Sequence, residues 1–278
     1  MKKLLSLILA LCLTFSFAAL CFAGSAKSLV VCGDSIAQGY GIQNPDDASY
    51  GKILADTLGY SYKNFGHDGD RSQDLLEKLR ANKSGIAGAV KNADLILISI
   101  GGNDFIKPKT ELAARILPAA VGVTDNVDEV QKVFEQNFAE IIEFIRAKNS
   151  KATVIVQTVY NGHNGLIGWA YDLAVSRVNA SIYAYLESNP GAYIVADTVP
   201  AFENHREYIA VDTLHPSALG NVAIAQVILD VLYENGLAET DTLVYTAEGV
   251  DQIAGFSQTL KKILDFFRKI AAFFYFAK

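Results

Sequence analysis

Cysteine is almost missing from this chain. There are three in 278 residues, and two of them, Cys12 and Cys21, fall inside a leading apolar run. Cys32 then has no partner, which excludes a disulfide framework once that run is removed. An excess of positive charge is missing too. The net charge is −6, whereas a nucleic-acid binder is more often basic, so no nucleic-acid partner is expected. No group of His, Cys, Asp or Glu has metal-ligand spacing, and no phosphate-cradling or dinucleotide-binding glycine fingerprint occurs, so neither metal nor cofactor is expected. Internal repeats and low-complexity tracts are absent between residues 27 and 235. What is present, 51% hydrophobic and 19% charged residues, suits a chain that builds a large core without crosslinks.

Residues 1–23 stand apart. Lys2 and Lys3 precede an uncharged run to Phe22, followed by Ala23-Gly24-Ser25-Ala26. This is the pattern of a secretory signal peptide cleaved near Ala23 or Ala26, although a run this long also suits an uncleaved anchor. Leu20 is a poor match to the small residue expected before a lipid-modified cysteine at Cys21. Cleavage removes two positive charges from a net of −6, leaving −8. A secreted or cell-envelope location is expected. At the other end, residues 238–252 are polar and acidic and read as a linker. Residues 253–278 place Ile253, Leu260, Phe267 and Phe274 seven apart, with Phe256, Ile263 and Ile270 as a second row. Lys261, Lys262, Asp265, Arg268 and Lys269 fill the other face. The pattern predicts an amphipathic, locally basic helix for a membrane surface or a partner helix, or one folded back over the domain.

Between these ends, apolar runs alternate with amphipathic segments. Strands are predicted at 29–32, 60–65, 95–100, 153–156 and 193–196. Helices are predicted at 49–58, 73–79, 111–117, 127–148, 169–188 and 218–234. Near-continuous apolar strands alternating with helices imply an α/β fold with a parallel sheet covered on both faces, over residues 28–235. Such sheets bind ligands beyond the carboxyl ends of their strands, so the residues after each strand are the candidates.

Gly33-Asp34-Ser35 follows the first strand, where a tight turn exposes a hydroxyl at the sheet edge. A serine needs a base, a group to orient the base, and donors for the oxyanion that forms. Among four histidines, only His215 has an aspartate three residues before it, Asp212, close enough to hold one imidazole nitrogen and leave the other free. Pro216 is expected to open the following helix. Gly69, in a turn after the second strand, allows backbone N–H groups to approach a reacting oxygen. Asn103, after Gly101-Gly102 at the end of the third strand, offers a neutral side-chain donor. Singly, each residue also suits a bland role: Ser35 a helix cap, Gly69 and Asn103 turn residues, His215 a surface histidine.

Together, Gly-Asp-Ser, Gly, Gly-x-Asn-Asp and Asp-x-x-His occur in that order, each after a different predicted strand. This resembles the SGNH, or GDSL, hydrolase family (GDSL-like lipase/esterase) of the exported bacterial type, over residues 28–234. The resemblance implies a three-layer α/β/α sandwich with a five-stranded parallel sheet in the flavodoxin-like order 2-1-3-4-5. It implies Ser35 as nucleophile, His215 as general base and Asp212 as its orienting carboxylate. The oxyanion hole would be the Ser35 N–H, the Gly69 N–H and the Asn103 side chain. Two departures are mild: Ile36 follows the serine where leucine is common, and Ala37 breaks the Gly-x-Ser-x-Gly elbow of the α/β-hydrolase fold. The implied activity is ester hydrolysis through an acyl-enzyme, with no cofactor, on lipid-like acyl esters or acetylated carbohydrates, free or polymer-borne. Residues 105–126, including Phe105 and Ile106, can line an acyl pocket or pack a helix. Trp169 and Tyr160 can floor a sugar site or sit in the core. The alternative is a non-catalytic cell-surface binding protein on the same scaffold, which a serine-directed fluorophosphonate probe would leave unlabelled.

Overall fold

The computed structural model describes residues 26–106, 125–163 and 168–244. The signal-peptide, 111–117 helix and C-terminal amphipathic-helix expectations lie outside these residues. In chain order the elements are β1 (Ser28–Gly33), α1 (Ser35–Gln38), α2 (Pro45–Ala48), α3 (Tyr50–Leu58), β2 (Ser61–Gly66), α4 (Ser72–Arg80), α5 (Ile86–Asn92), β3 (Leu95–Ser99), α6 (Gly102–Ile106), α7 (Asp125–Lys148), β4 (Thr153–Gln157), α8 (Gly168–Ser188), β5 (Ile194–Ala196), α9 (Val199–Phe202) and α10 (Ala218–Glu234). The five strands form one sheet in the order β2-β1-β3-β4-β5, every pair parallel. No helix among the described residues is long and apolar enough to cross a membrane.

The strands are apolar on both faces because both are covered. Val30, Cys32, Ile96, Ile98, Val154 and Val156 point into one core beneath α4, α5, α7 and α8. Their neighbours Leu29, Val31, Leu95, Leu97 and Ile155 point the other way, against α3 and α10. Alternate residues of one strand therefore serve two cores, as strand pleating requires. Phe134 and Phe138 on α7 stack at 5.6 Å, and Phe138 meets Tyr185 and Tyr193 edge-on at 5.8 Å. Phe105 packs in this same core, the packing alternative for that residue, while residues 107–124, most of the segment expected to line an acyl pocket or pack a helix, lie outside the described residues. Cys32 is fully buried, and burial pushes its thiol up to about 12, so it is an inert core residue.

Five helices fall where no helix is expected from the sequence: the four-residue α1, α2 and α9, and α5 and α6. α5 has only Ile86 and Val90 buried, too short an apolar stripe to read. α6 begins at Gly102 within a double glycine that reads as a loop. Pro216 does not open α10. Ser217 is the N-cap, its Oγ accepting from the Gly220 N–H, while Pro216 lies one residue earlier, bridged to Ile209. Residues 238–244, the start of the expected linker, are tied to the domain. The Val244 N–H donates to Thr57 Oγ1 at 2.9 Å, and Gln226 donates to the Asp241 carbonyl at 2.8 Å.

The sheet sets the site at one residue, Gly33. Its φ is +149°, and a Cβ there would lie 1.9 Å from the Ser99 carbonyl oxygen on β3. This contact is backbone on backbone, so no side chain can yield. Gly33→Ala is expected to cost about 3 kcal/mol or more, the upper end for overpacking, and to displace the turn that follows. Urea unfolding of the variant measures it, and a loss under about 1 kcal/mol would mean that β1 and β3 separate easily.

Candidate active site

Asp34, not Ser35, caps the short helix after β1. The Ile36 N–H donates to Asp34 Oδ1 at 3.0 Å, and Gly39, with a φ of +76°, ends the helix one turn later. Ser35 is thus the first helical residue, at the carboxyl end of a central strand and nearly buried.

His215 arrives from the far side of the sheet. The connection after β5 runs through α9 and a 3-10 turn at Arg206–Tyr208. It closes on itself where the Ala210 N–H donates to the His215 carbonyl and the Thr213 N–H to the Ala210 carbonyl. Asp212 organises this turn, its Oδ1 accepting from the N–H groups of Leu214 at 3.1 Å and His215 at 3.0 Å. Its Oδ2 lies 2.5 Å from His215 Nδ1. Burial raises the Asp212 carboxyl, but the side-chain hydrogen bond, charge and backbone N–H of His215 outweigh it and hold it below the usual carboxylate range. An ionised carboxylate only accepts, so Nδ1 carries a proton, and in the neutral ring Nε2 is the acceptor. Ser35 Oγ lies 2.8 Å from that Nε2. Tyr40 packs its ring 4.7 Å from the imidazole.

The candidate oxyanion donors sit on adjoining loops. Residues 67–70 form a turn closed by the Asp70 N–H to the His67 carbonyl, with Gly69 at a φ of +80°. The turn leans on α1 and on the end of β1, since the Asp68 N–H donates to Gln38 Oε1 at 2.7 Å and the His67 N–H to the Gly33 carbonyl at 3.0 Å. Asn103 Nδ2 donates to the Asp70 carbonyl at 3.0 Å, using one of its two N–H bonds and leaving the other. Neither the Ser35 nor the Gly69 N–H has a hydrogen-bond partner among the described residues.

Several residues that the sequence leaves unassigned support this arrangement. Asp104 accepts from the Ser72 N–H at 3.0 Å and from Ser72 Oγ at 2.5 Å, and Asn137 also donates to that Oγ. Asp70 is buried and takes an ion pair from Lys78 and a contact from His67. His163 Nδ1 meets Thr213 Oγ1 at 2.9 Å, where Thr213 holds a φ of +63°. The aspartate that follows Asn103 in Gly-x-Asn-Asp was a visible signal for Asp104; nothing in the spacing marks His163. Among the described residues no group of His, Cys, Asp and Glu is arranged to hold a metal ion.

Burial lifts the Asp34 carboxyl to about 7, against lowering by the Ile36 N–H and His215. Burial lifts Asp104 to about 6, against its bonds from Ser72. A raised carboxyl binds its proton more tightly folded than unfolded, so it lowers stability as pH rises from about 4 to about 7. Asp34→Asn keeps an acceptor for the Ile36 N–H and removes the ionisation. The variant is expected to lose less stability than the wild type between about pH 4.5 and about pH 7.5, measured by urea unfolding at both. Equal losses would mean that Asp34 does not titrate in this window.

The comparisons agree with this geometry. Residues 31–223 match the GDSL-like Lipase/Acylhydrolase family. The uncharacterized protein YpmR of Bacillus subtilis (strain 168) is 29% identical over 216 residues, covering 74% of this chain and 81% of that protein. Among solved structures, the lipase Lip_vut3 from a goat rumen metagenome superposes with a TM-score of 0.60 at 20% identity, covering 75% of this chain and 98% of the lipase. Phospholipase A1 from Streptomyces albidoflavus NA297 gives 0.57 at 18% identity, covering 76% of this chain and 99% of the phospholipase. These likenesses establish the shared fold. With the sheet order, the serine–histidine–aspartate line and the family match together, the chain belongs to the GDSL-like lipase/acylhydrolase family, whose members hydrolyse esters.

Proposed function

We propose that this chain is an exported serine esterase working through an acyl-enzyme. The observation that carries the reading is the unbroken hydrogen-bonded line from Asp212 through His215 to Ser35. Ser35 Oγ attacks the ester carbonyl carbon while its proton passes to His215 Nε2. Negative charge moves onto the carbonyl oxygen, which the N–H groups of Ser35 and Gly69 and the Asn103 side chain stabilise. The carbonyl re-forms, the C–O bond to the alcohol breaks, and His215 returns the proton to the departing oxygen. Water then attacks the acyl-enzyme by the same exchange, releasing the acid and restoring Ser35. Asp212 keeps the proton on Nδ1 and balances the imidazolium while it exists.

A fluorophosphonate probe applied to fractionated cells tests nucleophile and export together. Labelling is expected in the medium or envelope, on a chain shortened by its leader, and lost in Ser35→Ala. Label that survives Ser35→Ala removes the nucleophile assignment, and label confined to the cytosol removes export. Residues 253–278 favour an envelope surface by their basic, amphipathic sequence. A chain ending at residue 244 is expected to leave the envelope for the medium, and unchanged partition would remove that role.

Kinetics separate the parts. Asn103→Ala is expected to lower kcat about a hundred- to a thousand-fold with little change in KM, because its donor acts on charge that develops only in the transition state. Asp212→Asn is expected to cost about ten-thousand-fold by stabilising the wrong imidazole tautomer. Losses under about tenfold for either, on a p-nitrophenyl ester, would reassign that residue.

A further inference from the structure

One buried carboxylate, Asp70, stands next to two of the three oxyanion donors. It follows Gly69 directly in the chain, and its own carbonyl accepts from Asn103 Nδ2 at 3.0 Å. The positions of both donors therefore depend on the backbone of this one residue. The Asp70 side chain is 7% exposed and forms an ion pair with Lys78 on α4, whose side chain is 17% exposed. His67 also reaches it, Nδ1 to Oδ1 at 3.1 Å, but that side chain is 67% exposed and water screens the contact.

Lys78 has a nearer partner in sequence. Asp74 lies four residues before it on the same helix, the spacing at which a carboxylate and an ammonium usually meet. Asp74 is instead taken by Arg71, through the backbone N–H at 2.9 Å and Nε at 3.4 Å. Glu77, the other acidic residue of α4, accepts from Gln73 at 2.9 Å. Lys78 reaches back eight residues, in the wall of a cleft of about 620 Å³ beside the end of β2, and meets Asp70 there.

A buried carboxylate that loses its cation is left uncompensated, and the chain relieves it by turning it toward water. Here that turn moves the peptide groups on either side, which place Gly69 and Asn103. A group misplaced by about 1 Å costs about a hundredfold in rate. The loop's other anchors sit at its ends: His67 and Asp68 on Gly33 and Gln38, and Ser72 on Asp104. Between them the loop is held by the turn bond from the Asp70 N–H to the His67 carbonyl, by Asn103 and by the Asp70 side chain. We propose that Asp70 and Lys78 are positioning residues: their ion pair sets the oxyanion donors at Gly69 and Asn103, and Lys78 acts on kcat through Asp70. The proposal rests on the esterase reading and adds to it a residue outside the sequence motifs.

The full chain carrying Lys78→Met is compared with the wild type on p-nitrophenyl acetate, with kcat counted per serine that a fluorophosphonate titrates to completion. Counting in this way leaves out molecules that fail to fold. kcat is expected to fall about ten- to a hundred-fold, with KM within about threefold. Lys78→Arg keeps a charged donor for the carboxylate and is expected to stay within about fivefold of the wild type. In an Asn103→Ala background Lys78→Met is expected to cost at least about threefold less, because one donor that it positions is already gone. An unchanged kcat per serine in Lys78→Met, an equal loss in Lys78→Arg, or the full loss retained in the Asn103→Ala background overturns the proposal. Amide exchange read by mass spectrometry needs no turnover. The peptide covering residues 67–71 is expected to exchange about tenfold faster in Lys78→Met, or in Lys78→Gln where the methionine variant does not fold. Unchanged exchange there overturns the clamp. A wild type that neither hydrolyses esters nor takes the probe removes the esterase reading, and the exchange still decides whether Lys78 holds the loop.

Discussion

The hydrogen bond between Ser35 and His215 joins residues 180 positions apart in the chain at 2.8 Å, and the rest of the structure is arranged so that it can form. Ser35 is fixed by the central strand, because β1 is paired on both sides and Gly33 lies directly against the β3 backbone. His215 has no strand to fix it. Its position comes from a loop that folds on its own backbone and on one carboxylate, Asp212. One partner thus inherits the rigidity of the sheet, and the other depends on local hydrogen bonds. This division is common where binding loops sit on a stiff scaffold.

Three carboxylates near the centre have opposite electrostatic fates. Asp34 and Asp104 are buried against backbone and hydroxyl donors, and burial dominates, so both rise toward neutrality. Asp212 is also penalised by burial, but the imidazole and two N–H groups outweigh that and keep it charged. At neutral pH Asp212 is therefore the fully ionised one of the three, while Asp34 is about half ionised and Asp104 keeps most of its charge. Unpaired negative charge at Asp34, one residue from the serine, would oppose the oxyanion that esterolysis creates. Lifting Asp34 by burial reduces that opposition near neutral pH.

The fold was legible from apolar runs, because a parallel sheet covered on both faces leaves no polar gap in its strands. The order of strands was not in the pattern itself and came with the family resemblance. Capping was harder to read. Asp34 and Ser35 are both good cap residues, and only the backbone shows that the aspartate caps while the serine stands in the first turn. Pro216 suits the first turn of a helix, yet Ser217 supplies the cap and the proline is left outside. The Asp-x-x-His spacing carried the base because its contact is local, three residues in one turn. Asp104 and His163 bond to partners 32 and 50 residues away, and no local period records that; the Asp70 side chain bonds locally, to His67 and Lys78, without a pattern that marks it as part of the site.

The two halves of the site differ in what holds them. On the oxyanion side, consecutive residues Asn103 and Asp104 tie to Asp70 and Ser72, and Asp70 is further held by Lys78 from α4. These bonds are buried, where an unmade one costs the most. On the base side, the turn passes through Thr213 in the left-handed region, a conformation that costs a non-glycine residue about 1–3 kcal/mol. His163 and the Ala210 carbonyl offset that strain. Donors that must be preorganised for a developing charge are thus stapled from two helices, and the imidazole, which exchanges a proton with two successive partners, is carried by a loop held through Asp212, His163 and its own backbone.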